Sequence, residues 1–162
     1  MNTAYILLGA NLGNPLGQIE QAKKLISSDI GKITVQSSVY ETEAWGIEEQ
    51  PPFFNQVLQI ETSLTPTELL LACQNIEDGL GRVRKEKWGA RVIDIDILYF
   101  NDEQIRVKNL VIPHPYLHFR KFTLVPLCEV AGEYLHPILH KTNKEILEAN
   151  TDPLSVKKLS LQ

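Results

Sequence analysis

Gln56-Val57-Leu58-Gln59-Ile60-Glu61-Thr62-Ser63-Leu64-Thr65-Pro66-Thr67-Glu68 changes its period within thirteen residues. Leu58 and Ile60 point one way while Val57, Gln59 and Glu61 point the other, which is the alternation of a strand. Thr65-Pro66-Thr67-Glu68 then supplies an N-cap, a first-turn proline and a capping-box glutamate. Leu69, Cys73, Ile76 and Leu80 follow at helical spacing, and Gly79 or Gly81 ends that helix.

Upstream, residues 43–53 read as irregular, with Gly46 and the pair Pro51-Pro52. Ile33 to Thr42, with Ile33, Val35, Ser37 and Val39 in partial alternation, reads as a strand. Before it, Ile19, Ala22 and Ile26 mark a helix, opened by Asn14 as N-cap and Pro15 and ending near Asp29 to Gly31. Ala4 to Leu8, closed by Gly9, is a first strand. Downstream of the second helix, Val92 to Phe100 is a strand ended by Asn101-Asp102. The order strand, helix, strand, strand, helix, strand predicts an α+β fold. It is the ferredoxin-like βαββαβ core, an antiparallel sheet with helices on one face. A C-terminal extension of short strands and helices follows: Gln104 to Val107 pairs with Leu110 to Ile112, and Thr142-Asn143-Lys144-Glu145 opens a helix to about Ala149. No linker or repeat divides the chain, so residues 1–162 are expected to form one domain.

The chain carries 16 Lys plus Arg against 20 Asp plus Glu, a net charge of -4, which disfavours nucleic acid or an anionic membrane as bulk partners. Cys73 and Cys128 sit among apolar neighbours, as core thiols of a reducing compartment do. The N-terminus lacks a basic signal-peptide segment, and no apolar run nears the ~20 residues of a membrane span. A cytoplasmic location is expected.

The mean charge conceals a segregated pattern. Residues 82–91 hold five cations (Arg82, Arg84, Lys85, Lys87 and Arg91) against Glu86, a local +4 that leaves -8 for the rest. Directly after them, Asp94 and Asp96 lie two apart in a strand and share a face, while Ile93, Ile95 and Ile97 fill the other. Taken alone, the aspartates fit either a solvated strand face or a hard-cation site, and the basic loop either solvated surface or a phosphate clamp. Together they are the parts of a phosphoryl-transfer site. Trp45, Phe53, Phe54, Asn55 and Phe122 are the aromatic and amide residues able to cover and read a flat heterocycle, or to fill a core. His114, in Ile112-Pro113-His114-Pro115, Arg120 beside Lys121, and Gln74 with Glu77 near the end of the second helix complete the candidates.

With these stretches assembled, the chain closely resembles the 6-hydroxymethyl-7,8-dihydropterin pyrophosphokinases of folate biosynthesis. Leu8-Gly9-Ala10-Asn11-Leu12-Gly13, Gln50-Pro51-Pro52-Phe53-Phe54-Asn55, Gly81-Arg82-Val83-Arg84, Trp88 to Ile97, Ile112 to Pro115 and Arg120-Lys121-Phe122 carry the resemblance, in order. It implies transfer of pyrophosphate from ATP to the hydroxymethyl group of a reduced pterin, with release of AMP. It implies two Mg²⁺ held by Asp94 and Asp96, with Arg82 and Arg91 stabilising charge on the transferring group and the loop around Arg84 and Trp88 closing. Phe53 and Phe122 would sandwich the pterin, and Asn55 with Thr42, Trp45 and Gly46 would read its edge. Gln74, Glu77, Ile97, His114 and Arg120 fall on the nucleotide side. Asp96 is the candidate base for the alcohol. The chain departs from many relatives in Glu43-Ala44-Trp45 and in a short segment between Lys85 and Trp88. The implied partners are the two small substrates, without nucleic acid or membrane. The expected state is a monomer, with contact to neighbouring folate enzymes left open.

Two other classes compete. A ferredoxin-like RNA module would present a Lys/Arg-Gly-aromatic run, absent here, and a regulatory domain would bind a small molecule without turnover. Loss of turnover on replacing Asp94 with Ala separates an enzyme from either.

Overall fold

This computed structural model describes residues 1–43, 51–81 and 92–159. At its centre is β1 (Asn2–Ala10), whose nine residues are almost all buried, as a strand covered on both faces requires. It pairs antiparallel with β4 (Phe53–Thr62) on one side and β5 (Asp94–Phe100) on the other. The outer edge of β4 carries two short strands end to end, β2 (Gly31–Gln36) and β3 (Tyr40–Thr42), and β8 (Val156–Lys158) extends the sheet beyond β3. The order β5-β1-β4-β2/β3, every pairing antiparallel, is the predicted ferredoxin-like core.

The expected Ile33–Thr42 strand is broken at Ser37–Val39. The break has a cause 91 positions downstream: the Glu129 carboxylate accepts from Ser38 N at 3.0 Å, from Ser38 Oγ at 3.1 Å and from the Tyr40 hydroxyl at 2.7 Å. Burial pushes the Glu129 carboxyl up, but these three donors together with the charge of Lys158 hold the group below its ordinary range.

Helices α1 (Pro15–Asp29) and α2 (Pro66–Gly81) start where the sequence predicts. Asn14 Oδ1 accepts from Gly17 N at 3.2 Å, and Thr65 and Glu68 exchange the two capping-box bonds. Both helices pack on one face of the sheet, where Ile6, Leu8, Leu58, Ile60 and Ile95 meet Ile19, Ile26, Leu69 and Cys73. Burial first, then the charges of Glu77 and Asp96, push the Cys73 thiol up to about 12, which makes it an inert core residue.

The opposite face is covered by the extension. Helix α3 (Lys121–Ala131) and helix α4 (Asn143–Glu148) pack Leu124, Leu127 and Ile146 on Tyr5, Leu7, Val57 and Tyr99. The predicted pair β6 (Ile105–Val107) and β7 (Leu110–Ile112) forms, and Thr142 opens α4 with the expected capping box. The sequence reading missed α3 and β8. Among the described residues no helix is long and apolar enough to cross a membrane.

One buried polar bond ties the sheet to α4: the Tyr99 hydroxyl donates to Asn143 Oδ1 at 2.6 Å, and Asn143 is fully buried. Tyr99→Phe leaves that acceptor unpaired and should cost about 1–3 kcal/mol in urea unfolding, with an unchanged slope. A change within experimental error would show that the bond contributes nothing to stability.

Candidate active site

The site begins as a pattern of rows on the α3 face of the sheet. Register pairs Asp94 with Gly9, Gly9 with Asn55, and Asn55 with Tyr40, so these four lie in one line across four strands. The row beside it is Asp96, Leu7 and Val57, and the row on the other side is Phe53 and Thr42. Gly9 contributes no side chain to the centre of this floor. A Cβ there would meet Asn55 Nδ2 at 2.7 Å, because the Asn55 amide crosses over the glycine to donate to Leu8 O at 3.3 Å.

Above it is a cavity of about 430 Å³. Its floor is Leu7, Gly9, Asn55, Asp94 and Asp96. Thr42, Glu43 and Phe53 form one wall, Arg120 and Phe122 a second, and Asp152 and Leu154 a third. Two polar atoms of this lining, Asn55 Oδ1 and Thr42 Oγ1, are buried without a hydrogen-bond partner among the described residues. Buried polar groups are normally satisfied, so a pair of orphans in one cavity calls for a ligand or water with polar edges. With Phe53 and Phe122 also present, the lining suits a flat heterocycle that has apolar faces and a hydrogen-bonding rim.

The carboxylates lie at the β5 side of the cavity. Asp94 and Asp96 are half-buried and share the face away from Ile95 and Ile97, as the alternation predicted. Glu77 reaches from the end of α2 to accept from Ile95 N at 2.7 Å, fixing β5 between the two aspartates. His114 borders the same edge: its N–H donates to Leu98 O at 3.0 Å, and its Nδ1 accepts from Tyr116 N at 3.2 Å. That leaves Nε2 as the protonated nitrogen of the neutral ring. Burial lowers the His114 pKa, Asp96 opposes the shift and Arg120 adds to it. The Arg120 guanidinium stacks 5.1 Å from the Tyr116 ring centre and 5.5 Å from that of Phe122, which aims its charge at the cavity.

Among the described residues no group of three or more His, Cys, Asp or Glu is arranged to hold a metal alone. Two carboxylates on one face fit a hard cation such as Mg²⁺ that takes its remaining ligands from a substrate and water.

Of the candidates from the sequence, Thr42, Phe53, Asn55, Asp94, Asp96, Arg120 and Phe122 converge on the cavity. Glu77 and His114 flank β5 without lining it, and Gln74 is exposed on α2. The Ile97 side chain is buried in the α1/α2 core, on the face away from Asp96, as the alternation predicted. Trp45, Gly46, Arg82, Arg84, Trp88 and Arg91 lie outside the described residues. Sequence reasoning missed Asp152 and Leu154 and read Gly9 only as a strand end. The cue for Gly9 was present, since it stands in the strand that pairs with Asn55.

Comparison with known proteins agrees with this geometry. The family described as 7,8-dihydro-6-hydroxymethylpterin-pyrophosphokinase (HPPK) matches residues 5–132. The 2-amino-4-hydroxy-6-hydroxymethyldihydropteridine pyrophosphokinase of Aquifex aeolicus is 45% identical over 153 residues, covering 93% of this chain and 94% of that protein. The enzyme of the same name from Bacillus subtilis is 41% identical over 157 residues, with 96% and 89% covered. Among solved structures, Plasmodium falciparum HPPK-DHPS superposes with a TM-score of 0.72 at 19% identity, a likeness that bears on the fold alone. It spans 91% of this chain, which corresponds to 44% of the larger Plasmodium chain. With a family match from residue 5 to 132 and relatives above 40% identity along most of their length, the chain belongs to the 7,8-dihydro-6-hydroxymethylpterin-pyrophosphokinase family.

Proposed function

We propose that this protein transfers pyrophosphate from Mg²⁺-bound ATP to the hydroxymethyl group of 6-hydroxymethyl-7,8-dihydropterin and releases AMP, as one cytoplasmic domain of residues 1–162. One observation carries the reading: a single cavity sets two aromatic rings and two orphaned polar atoms beside a pair of same-face aspartates. The pterin ring fits between Phe53 and Phe122, and its amide-like rim suits Asn55 Oδ1 and the Thr42 hydroxyl, with Trp45 and Gly46 assigned to the same edge. Its hydroxymethyl arm then extends towards Asp94 and Asp96.

The alcohol oxygen forms a bond to the β-phosphorus. The bond from that phosphorus to the oxygen shared with the α-phosphate breaks, and AMP leaves with the electron pair. Asp96 is assigned to take the alcohol proton. Arg82 and Arg91 are assigned to charge on the transferring group, and Arg84, Trp88, Arg120 and His114 to nucleotide contact and closure. Glu77 contributes by positioning β5, with Gln74 and Ile97 nearby on α2 and β5. Two Mg²⁺ bound with ATP at Asp94 and Asp96 would neutralise the polyphosphate. The protein's share of catalysis is largely alignment and electrostatics. The reading needs no nucleic acid or membrane partner and assumes a monomer.

Incubation with ATP, Mg²⁺ and the hydroxymethyl dihydropterin should yield AMP in step with pterin pyrophosphate. ADP in place of AMP, or no AMP above background, would refute the assignment. Asp94→Ala and Asp96→Asn should each lower kcat/KM by roughly 100-fold or more. Unchanged turnover by Asp96→Asn at saturating Mg²⁺ removes Asp96 as base. Gly9→Ala presses on an amide pinned to Leu8 O, so it should raise the pterin KM about tenfold while the ATP KM stays within about twofold. Equal increases in both constants would count against Gly9 as the floor of the pterin subsite.

A further inference from the structure

The family match ends at residue 132, yet the third wall of the cavity comes from beyond it. Residues 150–159 return across the α3 face and tie two other walls together. At one end the Asp152 carboxylate accepts from Lys121 N at 3.1 Å, at the start of α3 and one residue before Phe122. Its other oxygen accepts from Leu154 N at 3.0 Å, and Asn150 Oδ1 accepts from Asp152 N at 2.8 Å, which locks the turn. At the far end β8 pairs with β3 so that Val156 lies opposite Thr42, and Leu159 N donates to Val39 O at 2.8 Å. Between these anchors the half-buried Leu154 lines the cavity.

We propose that this C-terminal arm is part of the pterin subsite, with Leu154 a contact that sets the fit of the heterocycle and Asp152 a positioning residue for Phe122. The inference rests on the pterin reading of the cavity. Its physical basis is that the aromatic wall and the Thr42 wall belong to different elements, α3 and β3. In the described structure the arm bonds to both, and its own side chain fills the space between them. The arm contacts the pterin end of the cavity, whereas Asp94 and Asp96 lie on β5, at the other side of the floor. Changes at Leu154 therefore act on pterin binding, whereas loss of the Asp152 anchor also reaches Arg120, the residue that precedes Lys121. The arm is short and none of its residues is fully buried, so it can be altered without unfolding the core.

The test is calorimetric titration of the full chain with the hydroxymethyl dihydropterin, in the presence of Mg²⁺ and α,β-methylene-ATP, whose bridging carbon blocks transfer. Leu154→Ala, Leu154→Trp and Asp152→Ala are compared with the unaltered protein, and the nucleotide analogue is titrated separately. The pterin Kd should rise about fivefold or more in each variant, by lost apolar contact, by a filled cavity, and by a released α3 start, respectively. Asp152→Asn, which keeps one acceptor oxygen, should fall between Asp152→Ala and the unaltered chain. The analogue Kd should stay within about twofold in both Leu154 variants, and the thermal midpoint within a few degrees in all four. A pterin Kd unchanged in both Leu154 variants overturns the proposal, as do parallel losses for both ligands with a large fall in thermal midpoint. An unaltered protein that binds the pterin but releases no AMP with ATP refutes the reaction and still leaves the arm judged on Kd. One that does not bind the pterin overturns both.

Discussion

β1 runs through the middle of the sheet, bonded to β4 on one side and β5 on the other, and its register decides where each site residue stands. Its even-numbered residues Ala4, Ile6 and Leu8 are committed to the core under α1 and α2, so the strand cannot slip by one without sending them to the other face. With that register fixed, Gly9 must lie between Asn55 and Asp94. The Asn55 amide and the Asp94 carboxylate are thereby held on either side of Gly9, over which the amide crosses to reach Leu8 O. The hydrophobic core and the chemical site share one constraint.

The second face of the sheet would be left open by the βαββαβ unit alone. Tyr5, Leu7, Val57 and Tyr99 are apolar or aromatic on that face and need a cover. Helices α3 and α4 provide it, and the cavity opens over the adjacent rows that hold Gly9 and Thr42, with Phe122 of α3 along its side. Glu129 shows how tightly the two layers are joined near it, since one carboxylate on α3 holds Ser38, just before β3, and Tyr40, the first residue of the strand that carries Thr42.

Much of this was legible in the sequence because it depends on short-range periodicity. The alternation around Asp94 and Asp96, the capping boxes at Thr65 and Thr142 and the proline after Asn14 all act within a few residues. The features that escaped depend on distant partners. Helix α3 begins at Arg120 without a side-chain cap and contains Thr123, Val125 and Pro126, which weaken its helical signature; its stability comes from packing on the sheet. β8 is three residues long and pairs with a strand more than a hundred positions earlier, so no local pattern announces it.

The charges around the cavity bear on how a nucleotide is accepted. Glu43, Asp94, Asp96 and Asp152 line it, against Arg120 as the cation among the described lining residues. On formal charge such a cavity repels a bare triphosphate, and two same-face carboxylates are too few donors to retain a Mg²⁺ ion unaided. Each deficiency is met by the other component: the cation gains phosphate ligands, and the nucleotide enters with its charge reduced. The sequence places five cations at residues 82–91, between the end of α2 and the start of β5, as the proposed counter-charge for the polyphosphate. On the proposed reading the two substrates are sorted by charge, the polyanion towards the β5 edge and the uncharged ring towards Phe53 and Phe122.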